Sequence, residues 1–352
     1  MKHFLFSLTS ILIALTIIPL FASGFGSETE KISIKNDIQQ KKESIEVNKP
    51  VTTDTTSEKS PTADKTFKVL MKDSGEIKDI PVYDYLCGVV AAEMSATNNL
   101  EALKAQAVAA YTYSLYKMEM ILKNPDIIPE HNGAYVCTDY THCKAYLSKE
   151  DAKTKWGEKW FEKYYPNIEK AVSEVENKVI LYDGKPINAV FHSMSSGKTE
   201  DAKDVWGSEI PYLKAVNSSF DTKAPLYESV ILITFEEFRE KMFNNIEGIT
   251  FPDDVNQYIS DIKRSDSGSI ISMKICGNEI KGSKFREIFS LRSANFQIDV
   301  KDDGFLITVH GYGHGVGMSQ YGANELAKEG KNYIEILKYY YKDVEISDYK
   351  WN

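Results

Sequence analysis

Residues 129–146, PEHNGAYVCTDYTHCKAY, gather imidazole and thiol side chains within one short stretch. His131, Cys137 and Cys143 fall at equal intervals, with His142 beside the last. Thiolate and imidazole suit Zn²⁺, and three protein ligands would leave a fourth position for water or substrate. Adjacent side chains usually diverge, so His142 is either a fourth ligand or an active-site donor. The spacing matches no standard zinc finger, and in an exported chain a Cys137–Cys143 disulfide is the rival reading.

A second reactive group is Glu93. Val82, Leu86, Val89 and Val90 recur at helical spacing, and Glu93 falls on the same apolar stripe. At the end of its helix and on an apolar face, macrodipole and desolvation both favour the protonated acid, as a general acid requires. The alternative is a buried carboxylate neutralised by Arg286, Arg292 or His192. Glu101 serves as a control: Asn98 and Glu101 have the spacing of a capping box, which accounts for that acid structurally.

Two further stretches offer substrate contacts. In VHGYGHGVGMSQYGANELAKEG, alternating glycines permit close backbone approach to a neighbouring element or a ligand. His314 lies between two of them, and Gln320 stands where the stretch enters a helix. FHSMSSGKTEDAKDVWG supplies His192, Ser195 and Trp206, and Tyr212 follows; the polar loop suits a hydroxyl-rich ligand, and the two aromatics suit stacking on sugar rings. Ordinary core packing is the competing account of Trp206.

The elements that position these groups mix long helices with short strands. Helices are predicted at 82–94, 99–122, 149–174, 235–244, 282–290, 319–329 and 331–341. Strand patterns include FKVLM, KVILYDG, NAVFHS, ESVILITF, SIISMKIC, NFQIDVKDD and FLITVHG. Without regular βαβ spacing, this order points to an α+β fold with short antiparallel strands and two lobes around a substrate cleft. The Ala-rich helix LEALKAQAVAAYTY is expected to run through the middle. Residues 66–352 form the head, with a second lobe at about 220–300. Residues 27–65 read as a polar tether, and residues 1–26 carry an apolar run suited to a membrane anchor or signal segment. The 352-residue chain has a formal net charge of −9, which argues against nucleic acid as a partner.

The segments YDYLCGVVAAEMSATNNLEALKAQAVAAYTY, FHSMSSGKTEDAKDVWG, PYLKAV, KGSKFREIFSLRSANF and HGYGHGVGMSQYGANELAKEGKNYIEILKYYYKDV together resemble the stage II sporulation protein D (SpoIID) family. The resemblance implies a peptidoglycan lytic transglycosylase that cuts stem-free glycan strands between MurNAc and GlcNAc during forespore engulfment. It implies extracytoplasmic action at the sporulation septum and engulfing membrane, beside a SpoIIP-type amidase and a SpoIIM-type membrane protein. The family's catalytic acid maps to Glu93. Clostridial members look zinc-dependent, and His131, Cys137 and Cys143 would be the ligands here. The family usually has Arg where this chain has Tyr111, and YYPG where it has YYYKDV. The alternatives are a noncatalytic glycan-binding amidase enhancer, favoured by the Tyr111 substitution, and a zinc peptidase or amidase lacking HExxH.

Overall fold

The computed structural model describes residues 65–350. The membrane-anchor reading and nearly all of the tether lie outside them. Among the described residues, no helix is long and apolar enough to cross a membrane.

The fold is α+β and is organised around helix α2, Leu100–Lys123. Ala102, Ala105, Ala107, Ala109 and Ala110 are all buried, and these small side chains let neighbours approach from several directions. Helix α1, Val82–Glu93, packs on it, as do the helices Glu158–Glu174, Gln320–Lys328 and Tyr333–Tyr340 and the strand Lys178–Tyr182. Val82, Leu86, Val89 and Val90 are buried as their spacing requires. Their stripe anchors the helix whose last residue is Glu93.

Three small sheets complete this part. Strand Thr66–Leu70 pairs antiparallel with Ile77–Pro81 and parallel with Val136–Cys137. Lys178–Tyr182 lies between Lys185–Pro186 and Glu345–Asp348. Phe191–His192 runs parallel to Met318–Ser319, which ties the polar loop to the glycine-rich stretch.

A second hydrophobic core is built from Glu228–Thr234, Phe296–Val300 and Gly304–His310 on one sheet and Ile259–Arg264, Ile270–Ile275 and Asn278–Lys281 on another. Helices Phe235–Asn245 and Gly282–Ile288 close it. Phe238 is its centre, with ring centroids 4.6 Å from Phe305 and 5.6 Å from Phe289.

Two local expectations need correction. The continuous helix over 149–174 is two helices, Lys149–Trp156 and Glu158–Glu174, because Gly157 adopts φ +79° between them. The capping box at Asn98 is absent. Asn99 caps α2 by accepting from the Glu101 amide at 3.0 Å, so α2 starts one residue later than the box requires. The Glu101 carboxylate instead accepts from Lys104 Nζ at 2.7 Å and from the Tyr333 backbone amide at 2.8 Å.

Candidate active site

The stretch from His131 to Cys143 is held at one end by strand Val136–Cys137 on the sheet and at the other by a turn that Asp139 organises. The Cys143 amide donates to Asp139 O at 2.7 Å, and Thr141 donates to the Asp139 carboxylate through both its amide and its hydroxyl. Lys72, 2.8 Å away, and the Thr141 donors hold the Asp139 carboxyl down at about 2, against its partial burial. This folding brings the ligand atoms of buried His131, Cys137 and Cys143 and of exposed His142 together, all four within 4.8 Å of one another.

Their separations test the metal reading. His131 Nε2 lies 3.0 Å from His142 Nδ1 and 3.4 Å from Cys143 Sγ, and Cys137 Sγ lies 3.5 Å from His142 Nδ1. Tetrahedral bonds of about 2.0 Å to nitrogen and 2.3 Å to sulfur imply ligand separations of roughly 3.3–3.8 Å. The cluster could therefore hold a metal ion. His131 Nδ1 is 3.1 Å from Ala134 O, a contact that fixes this nitrogen as the protonated one and leaves Nε2 free to ligate. Both cysteines are free, so no disulfide joins them. The Cys137 thiol, by donating to Cys143, pushes the Cys143 pKa down and its own up. His142 does not diverge from Cys143. The tight turn at Asp139 brings its Nδ1 back beside the other three ligand atoms, the arrangement that a fourth ligand would need.

Glu93 is partly exposed at the end of α1, not sealed on its stripe. Its Oε1 accepts from the Ala145 backbone amide at 3.2 Å, and its Oε2 from Gln320 Nε2 at 3.1 Å. Neither Arg286, Arg292 nor His192 partners it. Arg286 Nε donates to Leu291 O, Arg292 to Leu226 O, and His192 meets Val316 O. The cation that does act on Glu93 is Lys144, a buried ammonium 3.6 Å from the Phe191 ring centroid and 4.4 Å from that of Tyr113. Burial lowers its pKa to about 8, with Glu93 and then Cys143 opposing that shift. Lys144 was missed in the sequence because lysine beside a polar loop normally reads as solvated.

The glycine-rich stretch lies along residues 190–200. Gly313, at φ +115°, has room for no side chain: a Cβ would sit 2.6 Å from that of His192. The alternating glycines therefore serve backbone packing against a neighbouring segment. That packing brings His192, His314 and Trp206 together, the His314 ring lying 5.7 Å from His192 and 5.6 Å from Trp206. His192 is 4% exposed, and burial drives its pKa down to about 4. Its Nδ1 lies 3.1 Å from Val316 O, so the neutral ring donates there and presents an unpartnered Nε2. Burial also lowers His314 well below the usual histidine range, with His192 and Lys144 adding to the effect. Trp206 is 39% exposed and is not a core residue.

Ser195 and Tyr212 stand apart from this group. Ser195 is buried, and both its amide and hydroxyl donate to Asp221 Oδ2, at 2.8 and 2.6 Å. Asp221 also accepts from Ser319, the cap of the helix that begins with Gln320. Asp221 is thus a buried hub that fixes the origin of Gln320, a role that its short polar context did not signal. Tyr212 packs on Tyr182 at 5.5 Å, and its hydroxyl accepts from the Asn188 amide.

Comparison with known proteins follows this geometry. The family model described as "Stage II sporulation protein" matches residues 71–182, which span Glu93 and the whole His and Cys cluster. Stage II sporulation protein D of Bacillus subtilis (strain 168) is 38% identical over 273 residues, covering 77% of this chain and 76% of that protein. The protein of the same name from Bacillus amyloliquefaciens is 38% identical over 275 residues, with the same coverage. An amidase enhancer of Bacillus subtilis is 28% identical over 315 residues, covering 75% of this chain but 40% of the enhancer.

Proposed function

This chain belongs to the stage II sporulation protein D family, and we propose that it is a peptidoglycan lytic transglycosylase with Glu93 as its acid and base. The observation that carries the reading is the placement of Glu93. A partly exposed carboxyl at a helix end is steadied by donors from two different segments, Ala145 and Gln320, with the buried Lys144 close enough to act on it.

A hydrolytic glycosidase uses two carboxyl groups, because water must be activated as well as the leaving oxygen protonated. A lytic transglycosylase works with one, since its nucleophile is a hydroxyl of the substrate. Protonated Glu93 gives its proton to the oxygen linking MurNAc C1 to GlcNAc, and the C1–O bond breaks. The muramoyl C6 hydroxyl bonds to C1, and its proton passes to the Glu93 carboxylate. The products are a GlcNAc with a free hydroxyl and a 1,6-anhydroMurNAc end, and Glu93 returns to its starting form. Gln320 and Ala145 hold the two oxygens in orientation. Trp206 and His314 offer the walls on which sugar rings rest.

Zinc, held by His131, Cys137, His142 and Cys143, would act as a structural cross-link of the segment that supplies Lys144 and Ala145. Four protein ligands are the mark of a structural rather than a catalytic site. The N-terminal apolar segment would keep the head at the membrane, where a SpoIIP-type amidase and a SpoIIM-type membrane protein are the expected neighbours.

The second reading, a noncatalytic amidase enhancer, has Tyr111 in its favour along with the distant enhancer relative. Tyr111 is buried in the core, its ring 6.2 Å from Phe67, so it supplies no charge to Glu93. Mass spectrometry of products from stem-free glycan incubated with the chain separates the two. Anhydro-muramoyl ends made by the wild type and not by Glu93→Gln support the transglycosylase. Glycan binding without any such ends would leave the enhancer.

A further inference from the structure

Asp221 is fully buried, as are Ser218 and Ser319 beside it. Taking a carboxylate out of water is costly unless other donors replace the water. Here the donors come from segments remote from one another in sequence. Asp221 Oδ2 accepts from the Ser195 amide at 2.8 Å and from the Ser195 hydroxyl at 2.6 Å, and Oδ1 accepts from the Ser319 hydroxyl at 2.8 Å. Burial pushes the Asp221 pKa up, and the Ser195, Ser319 and Ser218 donors oppose that rise. One planar fork thus sets the separation of Ser195 and Ser319.

Ser319 is used twice. Its hydroxyl hydrogen goes to Asp221, while its oxygen accepts from the Gly322 amide at 3.1 Å as the N-cap of the helix Gln320–Lys328. An acceptor suits this place, since a hydroxyl that donates to Asp221 keeps its lone pairs for the helix amide. Gly322 leaves room for the group: a Cβ there would run into the Tyr340 hydroxyl and lie 2.6 Å from Ser218 Oγ. Those two hydroxyls are hydrogen-bonded to each other at 2.9 Å.

The residue after Ser319 is Gln320, whose Nε2 donates to Glu93 Oε2 at 3.1 Å. Asp221 and Glu93 are therefore joined through one hydroxyl and one side-chain amide on adjacent residues. We infer that Asp221 is a positioning residue for the Glu93 carboxyl, acting through Ser319 and Gln320 without touching substrate. The inference rests on the reading of Glu93 as acid and base, and it deepens that reading. It also gives buried Ser195 a task, which is to anchor the Asp221 fork rather than to meet a sugar. The Tyr321 amide donates to Ser193 O at 3.0 Å beside this link. Loss of the Asp221 carboxylate leaves that second tie in place, and so loosens Gln320 rather than unfolding the helix.

The test sets turnover against binding and also follows Gln320 directly. The full chain is given stem-free glycan, and kcat and KM are compared for the wild type, Asp221→Ala, Gln320→Ala and the double variant. Asp221→Ala is expected to lower kcat about tenfold, the scale of one lost hydrogen bond, at unchanged KM. The double variant is expected to be no slower than Gln320→Ala alone, because both changes break the same chain of contacts. The Gln320 side-chain amide resonance, followed by NMR, is expected to move in Asp221→Ala. Thr234→Ala removes a cap of the same kind from the helix Phe235–Asn245 and controls for lost stability, leaving kcat and the Gln320 resonance unchanged. Should Asp221→Ala fold poorly, Ser319→Ala cuts the same link while Asp221 keeps its Ser195 donors. Full turnover in a folded Asp221→Ala or Ser319→Ala, or losses that multiply in the double variant, overturns the positioning role. A wild type that makes no anhydro products sinks the glycan-cutting reading, whereas an unmoved Gln320 resonance in Asp221→Ala sinks this inference by itself.

Discussion

The backbone amide of Ala145 donates to Glu93 Oε1 at 3.2 Å, only two residues beyond Cys143 of the cluster that could hold a metal ion. The cluster and the acid are therefore one mechanical unit. Whatever fixes His131, Cys137, His142 and Cys143 also fixes one of the two donors that orient Glu93. Lys144, between Cys143 and Ala145, adds its charge from the same segment.

Metal removal is expected to act on Glu93 at a distance. Purified chain should contain about one zinc, and chelation should lower the melting temperature and product formation together. Cys143→Ser should do the same without chelator. The decisive reading is amide exchange at Ala145, which should accelerate on chelation because its partner is released. An active, fully protected chelated protein would show that the cluster does not hold the acid. Because thiolate and neutral imidazole are the ligating forms, metal affinity should also fall as the pH is lowered.

Replacing Glu93 by Gln keeps its shape while removing proton transfer. The expected loss in turnover is roughly 10²-fold or more, the scale of a general acid and base. Stability should change by less than about 1 kcal/mol, since the side chain is partly exposed. Product release from stem-free glycan gives the first number and urea unfolding the second. Retention of more than a tenth of the activity would assign the chemistry elsewhere.

The two acids near the start of α2 show where the sequence was legible and where it was not. The Val82, Leu86, Val89 and Val90 stripe reads correctly because helical periodicity is local. The α+β class follows from the same local patterns. Glu101 has a local partner in Lys104, but its other partner, the Tyr333 amide, is 232 residues away, and no local spacing reports it. The same limit hid Asp221, whose ligands come from Ser195 and Ser319, and Lys144, whose burial depends on Phe191 folding over it. His131, Cys137, His142 and Cys143 were visible as residue types. Their convergence needed the Asp139 turn, which sets His142 beside the other three.

Glu101→Ala is accordingly expected to cost about 1–2 kcal/mol by freeing the Tyr333 amide and leaving Lys104 with Glu174 alone, both lost contacts being charge-assisted. Asn99→Ala should cost about 1 kcal/mol by uncapping α2. Exchange at Tyr333 separates the two variants, since Glu101→Ala should accelerate it and Asn99→Ala should not. A Glu101 that acted only as a local cap would leave Tyr333 protected.

His192 gives the head a pH dependence whose sign is set by its burial. Its folded pKa of about 4 lies below the ordinary value near 6.5, so between these pH values the unfolded chain binds more protons. Stability from this group is complete above pH 6.5 and is lost as the pH falls through that window. The loss is on the order of 3 kcal/mol by pH 4. His192→Asn removes the titrating ring, so the wild-type unfolding free energy should fall relative to the variant across this interval and stay parallel to it above pH 7. Other buried acids such as Asp221 titrate in both proteins and cancel in the difference. Urea denaturation of the pair at pH 4.5, 5.5, 6.5 and 7.5 measures it. A constant difference would mean that His192 stays solvated and that the glycine-rich stretch does not close over it as the Gly313 contact requires.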